Sequence, residues 1–196
     1  MTADVITRYR AATERFGRGH CFGGPVTVRY EVAPDEELIP FMPVSNRGFN
    51  LPHAEPTPVP GQPFLGTNWV CYPADVLQVG GYRDNLGPGA AGGARGQETD
   101  MQFRLYDSGI TPVYVPGTEV SHWVPARFVS KAWVLDRLKK SKIYHGSVTG
   151  TPLKFAVWGA KALFYGALSG FGVRYACRHA AFSGLLAGRT YRSGEE

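Results

Sequence analysis

Apolar and polar positions alternate along the chain with two different periods, which predict helices mixed with strands. Residues 3–16 repeat apolar side chains at helical spacing, whereas residues 22–32 alternate apolar and polar side chains as a half-buried strand does. Residues 33–63 hold eight of the fifteen prolines and show little periodicity. They are predicted to form a long irregular connection, a type of loop that is usually functional inside a compact domain.

The rest of the chain continues this mixture of helices and strands. We predict, in chain order, a strand end at 64–72, a short helix at 73–81, a helix at 97–108, strands at 110–116 and 119–124, a basic helix at 127–144, and two apolar helices within 153–187 that meet near 170–172. This order of elements predicts an α/β domain with helical additions.

Charge is unevenly distributed over the 196 residues, which are enough for one sizeable hydrophobic core. Residues 1–126 carry 9 Lys and Arg against 13 Asp and Glu, whereas residues 127–196 carry 12 against 3. An acidic body with a basic tail indicates that only the tail meets an anionic partner. A membrane surface, nucleic acid and phosphorylated ligands are the candidates.

Three cysteines, Cys21, Cys71 and Cys177, are far apart and follow no metal-binding spacing. They are predicted to be buried thiols in a reducing compartment rather than a disulfide framework or a zinc site. The first sixteen residues contain three arginines and lack the apolar segment of a secretory signal, so a cytoplasmic location is expected.

Seven glycines occur between residues 80 and 96. This segment has neither of the usual glycine-rich patterns that cradle phosphates. It is predicted to be either a surface loop or a flap beside an active site formed with the acids that follow it.

The stretch RGQETDMQFRL, residues 95–105, places Glu98 and Asp100 at a predicted helix start. Acidic side chains stabilise a helix start through the macrodipole, and Asp100 can also pair with Arg104 one turn later. The alternative interpretation is a catalytic carboxylate pair beside a flexible loop. The local sequence is compatible with both.

His122 and the segment at residues 66–68 also have two interpretations each. His122 lies in a predicted strand, where a single histidine is either a core or interface residue or a metal ligand. Gly66, Thr67 and Asn68 form either a turn in which the Asn side chain caps backbone groups or part of a binding site.

The C-terminal stretch 155–173 has nineteen residues and one charge, Lys161. Its glycines and flanking basic residues favour helices that lie in a membrane interface, with basic side chains facing anionic headgroups, over a helix that spans the membrane. A helical hairpin packed on its own domain is the alternative. Nucleic acid is disfavoured, because the aromatic residues are not interleaved with the basic ones as a stacking platform requires.

Three segments, FGGPV, FLGTNWVCYPADVLQVGGYRDNLG and GQETDMQFRLYDSGITPVYVPGTEVSH, follow one another over about residues 20–146. Their order and spacing resemble the C-terminal half of family 2 glycosyltransferases with the GT-A fold. The resemblance implies a partial GT-A mixed sheet flanked by helices at residues 1–150. A basic, apolar helical pair at residues 151–196 would follow it.

The resemblance also implies roles for individual residues. Residues 97–101 match the acid-acid-Thr-acid-Leu motif of the family, with Gln97 in place of the first acid. Glu98 then occupies the position of the general base, which removes a proton from the acceptor hydroxyl during an inverting transfer. Asp100 would orient the site or pair with Arg104. The remaining acceptor-side residues implied are Gly66, Thr67, Asn68 and Gln97.

Metal and diphosphate binding are implied in the same way. His122 matches a histidine that contributes to the Mg²⁺ or Mn²⁺ site in many GT-A enzymes, where the metal neutralises the leaving nucleoside diphosphate. Arg137, Lys140 and Tyr144 match the region in which the family places residues near the diphosphate.

The resemblance further implies a missing part. The family's N-terminal half carries nucleotide-binding strands and an Asp-x-Asp metal motif, and no Asp-x-Asp occurs in this sequence. The chain is therefore expected to be a truncated gene product or one half of a split enzyme, inactive alone. A separate polypeptide would supply the nucleotide-binding half.

The resemblance predicts a glycosyltransferase that moves a sugar from a nucleotide-sugar donor to a glycan or lipid-linked acceptor. We expect it to be peripheral on the inner face of the cell membrane, with residues 152–192 on an anionic membrane surface and with no nucleic-acid partner. The alternative functions are a non-catalytic remnant and a membrane-surface interaction module that keeps the acceptor-side fold.

Overall fold

The computed structural model describes residues 4–87 and 96–193, except for the side chains of Tyr144 and residues 191–193. Within them the helices and strands are α1 (Asp4–Phe16), β1 (His20–Gly23), β2 (Val26–Tyr30), β3 (Thr57–Pro58), β4 (Trp69–Val70), α2 (Pro73–Gln78), α3 (Gln97–Asp107), β5 (Thr111–Tyr114), β6 (Val120–Val124), α4 (Lys131–Thr149), α5 (Pro152–Ala167) and α6 (Val173–Ser193). Most of the glycine-rich segment, and with it the proposed flap, lies outside the described residues.

The larger sheet has four strands in the order β3-β5-β1-β4. Strand β1 runs parallel to β5 and antiparallel to β4, and β3 runs antiparallel to β5. Strands β2 and β6 form a separate two-stranded sheet. A mixed sheet with helices before, between and after its strands confirms the prediction of an α/β fold.

The strand predicted at 22–32 is wrong in one respect, because it is divided between β1 and β2. The division falls at Gly24 and Pro25. A Cβ atom added to Gly24 would lie 1.8 Å from Oγ1 of Thr118, and proline has no N–H for a strand ladder. The break therefore results from Pro25 together with the close contact of Gly24 with a residue far along the chain.

Helix α1 covers the sheet with one apolar face, as its periodicity predicts. Val5, Tyr9 and Ala12 are buried and pack against Phe22 of β1 and against strand β5 and the residue after it. Burying such a helical stripe against a sheet is the usual source of stability for an α/β layer. This core carries the loops that hold the candidate site.

The chain divides into two compact units. The first contains residues 4–29, 44–83 and 97–123, and the second contains residues 30–43, 84–87, 96 and 124–193. This division differs from the expected boundary after residue 150, since α4 belongs with α5 and α6.

Glycines explain why α4 joins the C-terminal helices. A Cβ atom on Gly184 of α6 would lie 2.1 Å from the carbonyl oxygen of Lys139, and one on Gly146 of α4 would lie 2.2 Å from that of Leu185. The two helix backbones therefore touch where side chains would keep them apart. Within the described part of the chain, no helix is both long enough and apolar enough to cross a bilayer.

Candidate functional site

Glu98 lies in the first turn of α3, directly after a sharp bend of the chain. The bend is made by Gly96, whose φ of 112° is a conformation that favours glycine. Acidic side chains at this position face the positive end of the helix dipole. The helix thus begins at Gln97, as the sequence predicts, and presents Glu98 half-buried at its N-terminal end.

Gly66 packs directly on the side chain of Glu98. A Cβ atom added to Gly66 would lie 2.7 Å from Cγ and 3.1 Å from Cδ of Glu98. A side chain at residue 66 would therefore require the Glu98 side chain to shift from this position. The structure brings together Glu98 and Gly66, two residues that the sequence predicts to share a site, and Thr67 is exposed beside them.

Gln102 holds the chain that leads to Gly66 against α3. The N–H of Phe64 donates to Oε1 of Gln102 over 2.7 Å, and Nε2 of Gln102 donates to the carbonyl oxygen of Phe64 over 3.0 Å. Gln102 is fully buried, so both bonds are shielded from water. No local pattern in the sequence identifies Gln102, because its partner is 38 residues away.

Two neighbours give the Glu98 carboxylate a polar environment. Nε2 of Gln97 donates to Oε1 of Glu98 over 3.5 Å. Tyr82 has a pKa raised above its usual value, first by burial and then by the negative charge of Glu98. The phenol therefore keeps its proton at neutral pH and can act as a hydrogen-bond donor. Tyr82 was not among the predicted site residues.

Asp100 has different surroundings from Glu98. Its side chain is 3% exposed, and its Oδ2 lies 2.9 Å from Nε of Arg104 and 3.5 Å from Nε of Arg83. Arg104 also donates to the carbonyl oxygens of Val79 and Gly81, at the end of α2. These contacts join α2 to α3, and the substrate-binding roles implied for Asp100 and Arg104 stay predictions.

Asn68 lies in the core beneath the Gly66 turn. Its Nδ2 donates to the carbonyl oxygens of Pro25 and Thr118 over 2.9 and 2.8 Å, and its Oδ1 accepts from the Tyr9 hydroxyl over 2.7 Å. Both amide donors are thus committed to the backbone, as in the turn interpretation of the sequence. An acceptor-binding role for Asn68 stays a prediction.

Nδ1 of His122 lies 2.7 Å from the carbonyl oxygen of Ser45, a residue of the proline-rich connection at residues 33–63. A metal-binding histidine commonly donates its second ring N–H to such a carbonyl, which leaves Nε2 for a metal. However, residues 4–87 and 96–193 contain no group of three or more His, Cys, Asp or Glu side chains that could hold an ion. The residues described do not fit a complete divalent-metal site.

The residues matched to the diphosphate region lie on α4 in the second unit. Lys140 pairs with Asp136 one turn earlier over 2.8 Å, and both side chains are partly exposed. One guanidinium nitrogen of Arg137 is buried. The side chain of Tyr144 lies outside the part of the chain that the structure describes. Glu98, Gly66 and His122, in contrast, belong to the first unit.

The cysteines are free thiols, as predicted. Cys21 and Cys177 are buried and Cys71 is half-buried. Burial, together with the neighbouring Cys71, raises the pKa of Cys21 to about 12, and burial with nearby Asp75 raises that of Cys71 to about 11. A thiol with such a pKa is protonated at neutral pH and is a poor nucleophile, so no cysteine here is a candidate catalytic residue.

The geometry thus defines one carboxylate, Glu98, that is half-buried and packed on the turn at Gly66. Such a group can accept a proton from a hydroxyl bound over Gly66 and Thr67.

Comparison of the chain with models of protein families, with curated proteins and with solved structures gives no match. The functional assignment therefore depends on the residues themselves.

Proposed function

We propose that the first unit is the acceptor-side part of an inverting family 2 glycosyltransferase with the GT-A fold, in which Glu98 is the general base. The observation that carries the proposal is the packing of Glu98 on Gly66, where a Cβ atom would lie 2.7 Å from Cγ of Glu98. This contact supports a shared role for two motifs that lie 32 residues apart in the sequence.

The different environments of the two acids support a division of work between them. Asp100 is buried and paired with two arginines, so its negative charge is balanced by ion pairs within the protein. Among the described residues, Glu98 makes no ion pair, and its carboxylate is half-buried. A carboxylate of this kind can accept a proton without losing a structural partner.

In the proposed reaction an acceptor hydroxyl lies over the exposed turn at Gly66 and Thr67. Glu98 accepts its proton while the oxygen forms a bond to the anomeric carbon of the sugar, and the bond from that carbon to the diphosphate breaks with inversion. Arg137, Lys140 and Tyr144 are proposed to lie near the diphosphate.

Donor binding is assigned to residues outside the 196 of this sequence. The sequence has no Asp-x-Asp, and the described residues do not complete a metal site around His122. We therefore propose that the nucleotide-sugar donor and its Mg²⁺ or Mn²⁺ are bound mainly by a nucleotide-binding half that these residues do not include.

Two binding measurements on the chain test this proposal. Isothermal titration calorimetry with a panel of nucleotide sugars, with Mg²⁺ and with Mn²⁺, is expected to show no heat, because the donor half is absent. A glycan array is expected to show binding to at least one class of glycan, and Gly66→Leu is expected to abolish it by displacing Glu98 and filling the acceptor surface.

Asp107→Asn is the matched control, since Asp107 is an exposed acid on the same helix, in its last turn. Glycan binding should be unchanged in this variant. If the wild-type chain binds neither glycans nor donors, the acceptor site does not exist, and the chain is a non-catalytic remnant. If Gly66→Leu binds glycans as the wild type does, binding occurs elsewhere and the role of Glu98 is refuted.

A further inference from the structure

Helix α5 exposes a row of large apolar side chains. Leu153 and Leu163 are 75% and 78% exposed, Phe164 is 60% exposed, and Phe171 in the following turn is 81% exposed. An α-helix turns by about 100° per residue, so Leu153, Val157 and Phe164 fall within about 40° of one another. We call the set Leu153, Val157, Leu163, Phe164 and Phe171 the α5 face. Leu163 lies about 80° from Leu153, on the side away from Lys154 and Lys161, so the apolar face is about 120° wide. Exposed apolar surface of this breadth marks an interaction site.

The opposite side of α5 is packed on α6. Ala162, about half a turn away from the α5 face, is buried. Its carbonyl oxygen lies 2.9 Å from Nδ1 of His179 on α6, and a Cβ atom on Gly166 would lie 3.0 Å from the same nitrogen. Helix α5 is thus held in a fixed orientation by α6, and the α5 face points away from this contact.

An apolar groove adjoins the α5 face. It has a volume of about 480 Å³ and is lined by Gly159, Ala162, Leu163, Gly166, Ala167, His179 and Leu186. Leu163 belongs to both the groove and the α5 face. The histidine is the one polar side chain in the lining, and it is engaged with Ala162. A groove of this size and character suits an alkyl chain rather than a polar ligand.

Along the sequence, the charged residues on either side of the α5 face are all basic, and the one acid that shares a pocket with the residues after Phe171 is Glu37. Residues 137–193 contain ten Lys and Arg and no Asp or Glu. Lys154 and Lys161 lie along one edge of the face, about 80–100° around the helix from Leu153. Lys154 donates to the carbonyl oxygen of Thr149, and Nζ of Lys161 lies 5.3 Å from the ring centre of Phe182. Neither lysine makes an ion pair within residues 4–87 and 96–193.

We propose that the α5 face docks on an anionic lipid bilayer, with α5 lying in the plane of the interface. The apolar side chains enter the acyl region, the groove receives part of an acyl chain, and Lys154 and Lys161 reach the headgroups. Anionic lipids concentrate in the cytoplasmic leaflet, which is the leaflet expected here. The proposal is independent of the transferase function, since it uses none of the residues to which a role in the transfer is assigned.

Vesicle sedimentation of the full chain tests this docking. The wild type is expected to bind phosphatidylcholine vesicles that contain phosphatidylglycerol, and to bind more weakly as salt increases. Leu163→Gln/Phe164→Gln should weaken the partition at least about tenfold without changing charge. Lys154→Gln/Lys161→Gln should weaken it about fivefold per lysine on anionic vesicles only.

Leu77→Gln is the matched control. Leu77 is 76% exposed on α2 of the first unit, almost as exposed as Leu163, and lies outside the α5 face. Its vesicle binding should equal that of the wild type. Circular dichroism of each variant verifies that its helices are intact.

The proposal is overturned if the wild type does not bind anionic vesicles, or if Leu77→Gln weakens binding as much as the α5 variant does. Sedimentation equilibrium tests the alternative that the α5 face joins two copies of the chain. A dimer that Leu163→Gln/Phe164→Gln dissociates, in a protein that does not bind vesicles, would assign the α5 face to a second copy of the chain and refute the membrane role.

Discussion

Glu98 and Asp100 are separated by one residue on α3, yet their surroundings differ. Asp100 is buried against Arg104 and Arg83, whereas Glu98 is half-buried against the turn at Gly66. The sequence identifies both acids, because acidic side chains at a helix start form a local pattern. It does not reveal Arg83 or the packing of Gly66 on Glu98, because these contacts depend on how distant loops meet.

The ion pair between Asp100 and Arg104 is predicted to be important for stability. Arg104→Met should lower the free energy of unfolding by about 3 kcal/mol, because it leaves a buried carboxylate with a weaker partner and two carbonyl oxygens without their donor. Urea unfolding followed by circular dichroism measures the change.

Arg10→Met is the control for Arg104→Met, since Arg10 pairs with Glu14 at the same spacing but with both side chains largely exposed. It should cost less than about 1 kcal/mol. Equal losses in the two variants would mean that the burial of Asp100 adds nothing to its pair.

Accuracy at the level of the element varied among both helices and strands. Helices α1 and α3 and strands β5 and β6 lie within two residues of their predictions, whereas α4 begins four residues later and ends five residues later than predicted. Strands β1 and β2 were predicted as one strand, because the alternating pattern continues through Gly24 and Pro25 and the contact of Gly24 with Thr118 is not visible in the sequence. The same holds for the packing of α4 on α6, which depends on glycines about forty residues apart.

The close contact of α4 and α6 leads to an element-scale prediction. Gly184→Ala should destabilise the second unit by about 2 kcal/mol, because its Cβ atom would meet the backbone of Lys139 and force the helices apart. Thermal unfolding by calorimetry measures the effect.

Gly159→Ala is the comparison, since the nearest atom to its Cβ would be Cδ2 of Leu186 at 3.9 Å. This replacement should instead stabilise α5, by about 0.5–1 kcal/mol, because alanine is the better helix former. A stabilised Gly184→Ala protein would show that the two helices do not approach as closely as described.

The whole molecule combines two compact units whose candidate functions were predicted from different signals. The acceptor-side function comes from ordered motifs in residues 20–146, and the membrane function comes from charge and apolar composition in the C-terminal third. The α/β class follows from the order of elements. The division into units could not be predicted, since the second unit draws residues 30–43 and 84–87 from earlier parts of the chain.

Stability of the molecule should fall at alkaline pH. Burial raises the pKa of Cys21 from 9.0 to about 12 and that of Tyr9 from 10.0 to about 12. Between the unfolded and folded pKa values, the native state holds protons that the unfolded state has lost. The stability that these groups contribute is complete below about pH 9, and it is lost as pH rises toward 12.

Urea unfolding between pH 8 and 12 measures this loss. Each such group lowers the free energy of unfolding by up to about 1.4 kcal/mol per pH unit within its window. Cys21→Ala should be less stable at pH 8, because it leaves a cavity, but its decline above pH 9 should be shallower. Parallel curves for the two proteins would mean that Cys21 ionises in the native state at its ordinary pKa.

Because residues 137–193 contain no Asp or Glu, this part of the chain can be isolated by proteolysis. A protease that cleaves after Asp and Glu has no site between Asp136 and Glu195, even in the denatured protein. Complete digestion should therefore release residues 137–195 as a single fragment, carrying all but the first turns of α4 together with α5 and α6. Mass spectrometry would identify this fragment at once, and it could be recovered from the digest without any engineered cleavage site.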